Sequence, residues 1–152
     1  MRDYYLSIGS NIHPAEHIPA CMNRLREIFP SIRFSTVYET DPVGPAGSEK
    51  FWNLAAAFVT QKDESTIRNV LREIETALGR IRSPENRFLP RTIDIDVLPQ
   101  PGYQQHAFIM IPLAEIAANA IDPETGKTFK ELSEEIRKDS YGFEKQRIFL
   151  KE

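Results

Sequence analysis

The sequence predicts an α+β fold in which helices pack on an antiparallel sheet. Apolar and polar residues alternate in several short runs, which is the period of a strand. Between these runs, two longer stretches repeat apolar residues every three or four positions, which is the period of a helix. Turn-forming Gly, Pro, Ser and Asn residues separate the segments. The length of 152 residues suits one core, so we expect a single domain over residues 1–152.

The first half of the chain is predicted to form a strand, a helix and two further strands. Residues 4–8 read as the first strand, and the turn residues of 9–11 end it. The helix that follows is expected to have Pro19 in its first turn. One of its faces carries apolar residues at helical spacing: Ile18, Cys21, Met22, Leu25, Ile28 and Phe29. Residues 32–40 are the second strand. Residues 51–60 are almost entirely apolar and are expected to form a central third strand.

The second half is predicted to add a helix and a fourth strand. Helical spacing recurs in Ile67, Val70, Leu71, Ile74, Ala77 and Leu78. Asp63 or Ser65 can cap the start of this helix, and Gly79 can end it. Residues 92–98 form the fourth strand after a charged loop. The order strand, helix, strand, strand, helix, strand is that of a ferredoxin-like βαββαβ sandwich. We also expect a short strand at 107–111 and a late helix at 128–137.

Composition and charge limit the classes of function. RNA-recognition domains share this fold, but the net charge of −3 argues against broad attraction to nucleic acid or to an anionic membrane. Cys21 is the only cysteine, so no internal disulfide or cysteine-based zinc site can form. The N-terminus is too polar for a signal peptide, and no apolar run approaches the roughly 20 residues that span a bilayer. We expect a cytoplasmic monomer, with a weak homodimer as the alternative, that binds neither nucleic acid nor membrane.

Two aspartates stand two residues apart in the fourth strand, within RTIDIDVL (91–98). Because strand side chains alternate, the apolar residues enter a core while Thr92, Asp94 and Asp96 line the other face. Two strand steps separate the carboxylates by about 6.5–7 Å, which is close for like charges. A divalent cation beside them would remove the repulsion and use their oxygens as ligands. A solvent-facing polar edge of the sheet is the alternative.

Arginines are concentrated just before this acidic pair. Guanidinium groups bind phosphate oxygens in a planar, bidentate way. One loop and the strand that follows it contain Arg80, Arg82, Arg87 and Arg91. Arginines beside a metal-binding acidic pair suit a nucleotide polyphosphate, whose charge they would neutralise together with the metal. The alternative is a solvated loop whose arginines pair with Glu73, Glu75 and Glu85.

A second cluster is suited to a flat heterocycle. Residues 40–44 form a loop stiffened by Pro42, and residues 51–53 place an aromatic pair beside Asn53. Aromatic rings can stack on a heterocycle while polar groups contact its edge. Because neighbours on a strand point to opposite sides, one of Phe51 and Trp52 is expected simply to pack in a core.

Six motifs of this chain occur in the order of a known enzyme family. They are IGSN (8–11), YETDPVG (38–44), FWNLAAAF (51–58), IETALGRIR (74–82), PRTIDIDVL (90–98) and IPLAEIA (111–117). Together they resemble the 6-hydroxymethyl-7,8-dihydropterin pyrophosphokinases of folate biosynthesis. The resemblance covers most of the chain, and the segment around the two aspartates is its most specific part.

The resemblance implies transfer of pyrophosphate from ATP to the hydroxymethyl group of a reduced pterin, with release of AMP. Asp94 and Asp96 would hold two Mg²⁺ ions and, with Arg82 and Arg91, carry catalysis; Asp96 is also a candidate acceptor of the hydroxyl proton. The positions matching nucleotide contacts are Arg80, Arg82, Arg91 and Glu75. The positions matching pterin contacts are Thr40, Val43, Gly44, Asn53 and an aromatic pair, Phe51 and Phe108.

The chain departs from the family pattern after Asp96. The family continues through a longer segment with a Pro-His pair and then an arginine, whereas the segment 99–108 is shortened and has no such pair. His106 stands near the missing arginine and is expected to contact the nucleotide, although histidine is mostly uncharged at neutral pH. Three outcomes stay open: a working kinase in which Arg87 or Lys50 compensates, a paralogue that uses another pterin-like alcohol, or a non-catalytic protein that binds pterin or nucleotide.

Overall fold

The computed structural model describes residues 1–40, 50–80 and 92–138, and the backbone of 148–150. The strands in these ranges are β1 (Arg2–Ser10), β2 (Arg33–Phe34), β3 (Tyr38–Thr40), β4 (Phe51–Thr60), β5 (Asp94–Leu98) and β6 (Ile148–Leu150). The helices are α1 (Pro14–Ile28), α2 (Glu64–Ala77), α3 (Ala107–Ile116) and α4 (Phe129–Lys138), and a 3₁₀ turn spans Tyr103–Gln105. Within the described ranges, none of the helices combines the length and hydropathy needed to cross a membrane.

The strands form one antiparallel sheet in the order β5-β1-β4-β3-β6, and β2 also pairs with β4. The central position of β4 agrees with its apolar sequence, because a strand covered on both faces has no polar side. The first four predicted strands therefore adopt the ferredoxin-like arrangement, and the prediction of an α+β fold is confirmed. β6 extends the sheet beyond β3.

Each face of the sheet is covered by a pair of helices. Even-numbered residues of β1 and β4 point to the first face, where they meet α1 and α2 in a core that includes Leu6, Leu54, Leu25 and Leu71. Odd-numbered residues point to the second face, where α3 and α4 lie. There the ring of Tyr5 meets that of Phe129 edge to face, with 5.3 Å between ring centroids.

The two helices on the first face form where the apolar spacing predicts them. Asp63 caps α2 by accepting a hydrogen bond from the backbone N–H of Thr66 at 2.8 Å. The expectation for Pro19 is wrong, because α1 already begins at Pro14 and Pro19 lies inside the helix. His13, whose φ of 43° is left-handed, starts the helix earlier by offering its carbonyl to the N–H groups of Glu16 and His17.

The predicted second strand is divided into β2 and β3 by a bulge. Phe34 lies opposite Ala56, but Tyr38 lies opposite Asn53, so the outer chain contains one extra residue between these pairs. The side chain of Ser35 maintains the hydrogen bonding to β4 at the bulge, since the N–H of Ala55 donates to Ser35 Oγ at 2.9 Å. The backbone of Thr36 turns away from β4 toward α3.

The short strand predicted at 107–111 is wrong, because these residues begin helix α3. Their apolar run has no period that separates a buried strand from a buried helix. The run is buried on nearly all sides, with Met110 and Leu113 fully enclosed between the sheet and α4. The late helix is confirmed as α4, and Thr128 and Glu131 form its capping box.

Candidate active site

The candidate site lies on the second face, at the end of the sheet where β1 ends and β4 and β5 begin. Gly9 of β1 pairs with Asp94 on one side and with Asn53 on the other, and Asn53 in turn pairs with Tyr38 of β3. Residues directly opposite each other share a face of the sheet. At about 4.8 Å per strand, the backbones of Asp94 and Asn53 are about 10 Å apart. The register therefore brings both clusters predicted from the sequence to one surface.

Asp94 and Asp96 lie on this surface in β5, as the alternation of strand side chains predicts. Arg80 Nη1 donates to Asp94 Oδ1 at 2.6 Å and to Glu75 Oε2 at 2.5 Å. The same Glu75 oxygen accepts the backbone N–H of Ile95 at 2.9 Å. Glu75 is 3% exposed. It lies beneath the surface as an anchor that joins α2, Arg80 and the edge strand β5.

The surroundings of the acidic pair shift the pKa values of Asp96 and Arg80. Burial raises the pKa of the Asp96 carboxyl to about 6, and the charges of Asp94 and Glu75 act in the same direction. A hydrogen bond from Gln100 and the charge of Arg80 oppose this rise without cancelling it. Burial lowers the pKa of Arg80, but its two acidic partners outweigh that effect and raise it. Among the described residues, Arg80 is thus shared between Asp94 and Glu75, and the carboxyl of Asp96 lies where burial and neighbouring acids disfavour its charge.

The residues present fit a divalent cation that takes its remaining ligands from phosphate and water. Mg²⁺ is commonly held by one or two carboxylates together with substrate phosphates. In the described part of the chain, no group of three or more His, Cys, Asp or Glu side chains is gathered for a metal. Thr92, two residues before Asp94, has a buried hydroxyl oxygen with no hydrogen-bond partner among the described residues.

The second half of the site is built around Asn53. Asn53 Nδ2 donates to Thr40 Oγ1 at 2.7 Å, and both side chains are buried. Asn53 Oδ1 lies over Gly9, where an added Cβ atom would approach it to 2.9 Å. Only a glycine at this position leaves room for the amide. Phe51 lies on the same face, opposite Thr40, while Trp52 packs against the first core as expected for one of the two aromatics.

His106 and Phe108 lie at the start of α3. The carbonyl of His106 accepts hydrogen bonds from the N–H groups of Ile109 and Met110, so the residue begins the helix with its backbone. Its imidazole is exposed, and its centroid is 5.2 Å from that of the Phe108 ring. Phe108 is half-buried against the second core. An exposed imidazole beside an aromatic ring can contact a ligand at the rim of the site.

Comparison with known proteins identifies the family. The family model described as 7,8-dihydro-6-hydroxymethylpterin-pyrophosphokinase (HPPK) matches residues 5–118. The chain belongs to this family. It is 36% identical over 134 residues to the 2-amino-4-hydroxy-6-hydroxymethyldihydropteridine pyrophosphokinase of Methylorubrum extorquens, covering 77% of this chain and 84% of that protein. The proteins of the same name from Pseudomonas aeruginosa and Bacillus subtilis are each 32% identical, covering 84% and 74% of this chain and 88% and 76% of theirs.

Four positions that match HPPK contacts lie outside the described residues: Val43, Gly44, Arg82 and Arg91. Arg87, the arginine expected to compensate for the shortened segment, lies outside them as well. The described ones fall into two groups. Asp94, Asp96, Arg80 and Glu75 are joined directly or through neighbours on β5. Thr40, Asn53 and Phe51 meet across β3 and β4. The roles of all these residues in an HPPK reaction stay predictions.

For three residues, the structure indicates a role that the sequence does not predict. The sequence predicts only a turn at Gly9, although a glycine at the end of a strand often marks a close approach of another group. The resemblance implies that Glu75 lies near the nucleotide, yet it follows Ile67 and Leu71 at four-residue steps, which indicates a buried position. Glu115 binds Thr36 and Tyr38, a contact between distant segments for which the sequence gives no signal.

Proposed function

We propose that this chain transfers the pyrophosphoryl group of ATP to the hydroxymethyl group of 6-hydroxymethyl-7,8-dihydropterin, releasing AMP, as a step of folate biosynthesis. Membership of the HPPK family supports this activity. The observation that supports it most directly is the row Asp94–Gly9–Asn53, which sets a negatively charged acidic pair about 10 Å from a buried amide. A nucleotide polyphosphate and a small flat ring can then bind side by side on one face.

Asp94 and Asp96 are the proposed ligands of two Mg²⁺ ions that arrive with ATP. The raised pKa of the Asp96 carboxyl, which lies beside Asp94, supports a cation at this position. When bound, Mg²⁺ would offset phosphate charge and orient the reacting oxygens. Arg80, Arg82 and Arg91 would hold the phosphates, and His106 would contact the nucleotide at the rim. Glu75 would act from below by fixing Arg80.

The pterin is proposed to bind between the aromatic side chains of Phe51 and Phe108. Asn53 and Thr40 would contact the polar edge of the ring, together with backbone groups of Val43 and Gly44. Burial of the Asn53–Thr40 pair supports this role, because a desolvated amide discriminates strongly between a ligand with matching polar groups and one without them. Trp52 is excluded from this contact, since it packs against the first core.

The transfer requires the hydroxymethyl oxygen to attack the β-phosphorus of ATP. A bond forms between these two atoms, the bond from the β-phosphorus to the bridging oxygen of the α-phosphate breaks, and AMP leaves. The proton of the alcohol must be lost, and Asp96 is the proposed acceptor. Most of the acceleration is expected from holding the two substrates in line and from neutralising charge, not from proton transfer.

We also propose that residues 1–152 act as one domain and as a monomer. The pairing of β6 with β3 supports a single unit, because it ties residues 148–150 into the sheet that carries the site. The large exposed apolar side chains of the described residues are scattered single positions, Met1, Val59 and Ile121. The cytoplasmic location stays a prediction from the sequence.

The test is a product assay. The protein is incubated with ATP, Mg²⁺ and 6-hydroxymethyl-7,8-dihydropterin, and AMP and the pterin pyrophosphate are separated by anion-exchange chromatography. We expect equal amounts of both products, none without pterin, and a large loss with Asp94→Asn although the circular dichroism spectrum is unchanged. AMP formed only with a different pterin-like alcohol would indicate a paralogue. Tight pterin binding with no AMP would indicate a non-catalytic protein.

A further inference from the structure

A carboxylate at the end of α3 contacts the bulge between β2 and β3. Glu115 Oε2 accepts the backbone N–H of Thr36 at 2.7 Å. Glu115 Oε1 accepts the Thr36 hydroxyl at 2.6 Å and the Tyr38 hydroxyl at 2.7 Å. Next to the three hydrogen bonds of Glu115, Arg33 Nη1 donates to the carbonyl of Ile116 at 2.9 Å. These contacts join residues that are more than 75 positions apart in the sequence.

The bulge explains why a carboxylate is needed there. The extra residue between the Phe34–Ala56 and Tyr38–Asn53 pairs takes the backbone of Thr36 out of the ladder with β4. A backbone N–H that leaves a ladder needs another acceptor. Glu115 provides one and also accepts two hydroxyl groups, so its oxygens receive three donors. Side-chain hydrogen bonds to ionised carboxylates are stronger than those between neutral groups.

The bulge and α3 each carry part of the proposed pterin site. Tyr38 and Thr40 belong to the short strand β3, where Tyr38 pairs with Asn53 and Thr40 accepts the Asn53 amide. Phe108 lies seven residues before Glu115 on α3, or about 10 Å along the helix axis. The Glu115 contact therefore connects the strand that holds the amide to the helix that holds one of the two aromatic rings.

We propose that Glu115 is a positioning residue for pterin: by fixing Thr36 and Tyr38 to α3, it sets the separation between the Thr40–Asn53 pair and Phe108. This inference rests on the proposed function. Glu115 does not touch the substrate in this scheme. It acts through β3, a strand of three residues that pairs with β4 and β6. A strand this short depends on side-chain contacts to keep one position.

The electrostatics of the contact agree with an ionised carboxylate. Burial raises the pKa of Glu115, but hydrogen bonds from Thr36 and Tyr38 outweigh burial and lower it. The pKa of Tyr38 is raised by burial and by its bond to Glu115. A glutamine at 115 could accept from the Thr36 N–H through its oxygen, but its NH₂ group can only donate, so both hydroxyls would have to reverse their bonds and the charge that strengthens them would be lost. Glu115→Gln therefore weakens the contact with little change in side-chain volume.

The first experiment measures steady-state kinetics with each substrate varied in turn. We expect Glu115→Gln to raise the KM for pterin about tenfold and to leave the KM for ATP and kcat within about twofold. Tyr38→Phe removes one of the three hydrogen bonds and is expected to raise the KM for pterin about threefold. Glu134→Gln, an exposed glutamate on α4, is the matched control and should change neither KM. Loss of folded protein alone would lower kcat and leave both KM values unchanged.

The second experiment needs no turnover. The side-chain NH₂ resonances of Asn53 report its bond to Thr40, so we expect Glu115→Gln, but not Glu134→Gln, to shift them and speed their exchange with water. Unchanged Asn53 resonances and an unchanged KM for pterin in an active Glu115→Gln protein would overturn the inference. If the unaltered chain formed no AMP, the proposed function would fail, and the Asn53 resonances would still decide whether Glu115 positions the amide.

Discussion

Asp122 and Asp96 are two aspartates in opposite surroundings. Asp122 lies in the loop between α3 and α4 and is fully buried. It accepts hydrogen bonds from the side chains of Tyr103, Gln104 and Thr125 and from the N–H groups of Glu124 and Thr125. Burial raises its pKa, but these donors outweigh burial and lower the pKa to about 2. Asp96 instead faces two other carboxylates, and its pKa is raised to about 6.

We interpret the difference as that between a carboxylate that stabilises the fold and one proposed to bind a ligand. Every oxygen of Asp122 has donors from its own chain, so its charge is compensated when the protein folds. In the part of the chain that the structure describes, the hydrogen bond from Gln100 and the charge of Arg80 do not offset the burial of Asp96 and the charge of Asp94 beside it. Unfavourable charge of this kind is typical of functional sites, where a bound cation completes the surroundings. Four predictions test this comparison.

The largest expected effect concerns the reaction. Asp96→Asn should lower kcat/KM for pyrophosphoryl transfer about a thousandfold, equivalent to about 4 kcal/mol, because it removes a proposed metal ligand. Asp122→Asn, assayed per mole of folded protein, should stay within about threefold of the unaltered chain. Equal losses for both variants would show that Asp96 has no special role.

The second effect concerns stability. Asp122→Ala should lower the free energy of unfolding by about 3 kcal/mol, because buried donors including the Tyr103 hydroxyl lose their acceptor. Urea unfolding at pH 7, followed by fluorescence, measures the change. Asp63→Ala is a useful comparison, since it removes one helix cap at an exposed position and should cost about 1 kcal/mol. A smaller cost for Asp122 than for Asp63 would contradict the structural role of Asp122.

The third effect is the pH dependence of the Asp122 contribution. The pKa of this carboxyl is about 2 in the folded chain, whereas that of a free aspartate is 3.8. Its contribution is therefore complete above pH 4 and is lost as the pH falls toward 2. The full contribution is about 2 kcal/mol. We expect the difference in unfolding free energy between the unaltered chain and Asp122→Asn to shrink by this amount from pH 5 to pH 2. A constant difference would mean that Asp122 does not ionise with this pKa.

Much of the fold could be predicted from the sequence because two periods dominate it. The strand period placed Asp94 and Asp96 on one face, and the helix period located α1 and α2. The period failed at 107–111, where all residues are apolar and burial on all sides removes any pattern. The strand period also does not reveal the bulge that divides the second strand. At this bulge the Ser35 hydroxyl replaces a backbone acceptor for the N–H of Ala55.

The sequence predicts residue types for the candidate site but not the contacts between them. The spacing of Asp94 and Asp96 indicated a metal site, and the resemblance to a family indicated Asn53 and Thr40. The closeness of Gly9 to Asn53 depends on the register between β1 and β4, which the whole sheet determines. The contact of Glu115 with Tyr38 depends on how α3 lies on the second face. Such contacts arise from tertiary structure and leave no local pattern.

The smallest expected effect is a gain in stability, in contrast to the loss of stability expected for Asp122→Ala. Asp96→Asn should raise the free energy of unfolding by about 1 kcal/mol at pH 8 in EDTA, because it removes a buried charge beside Asp94. Since the folded pKa of Asp96 is raised, the stability that its protonated form supplies is present below pH 4 and is lost as the pH rises through about 6. The advantage of Asp96→Asn should therefore disappear below about pH 4. Mg²⁺ with a non-hydrolysable ATP analogue should stabilise the unaltered chain more than the variant and reverse the order of their melting temperatures. If the variant is less stable in EDTA at pH 8, Asp96 is compensated within the fold as Asp122 is, and the proposed distinction between the two carboxylates is wrong.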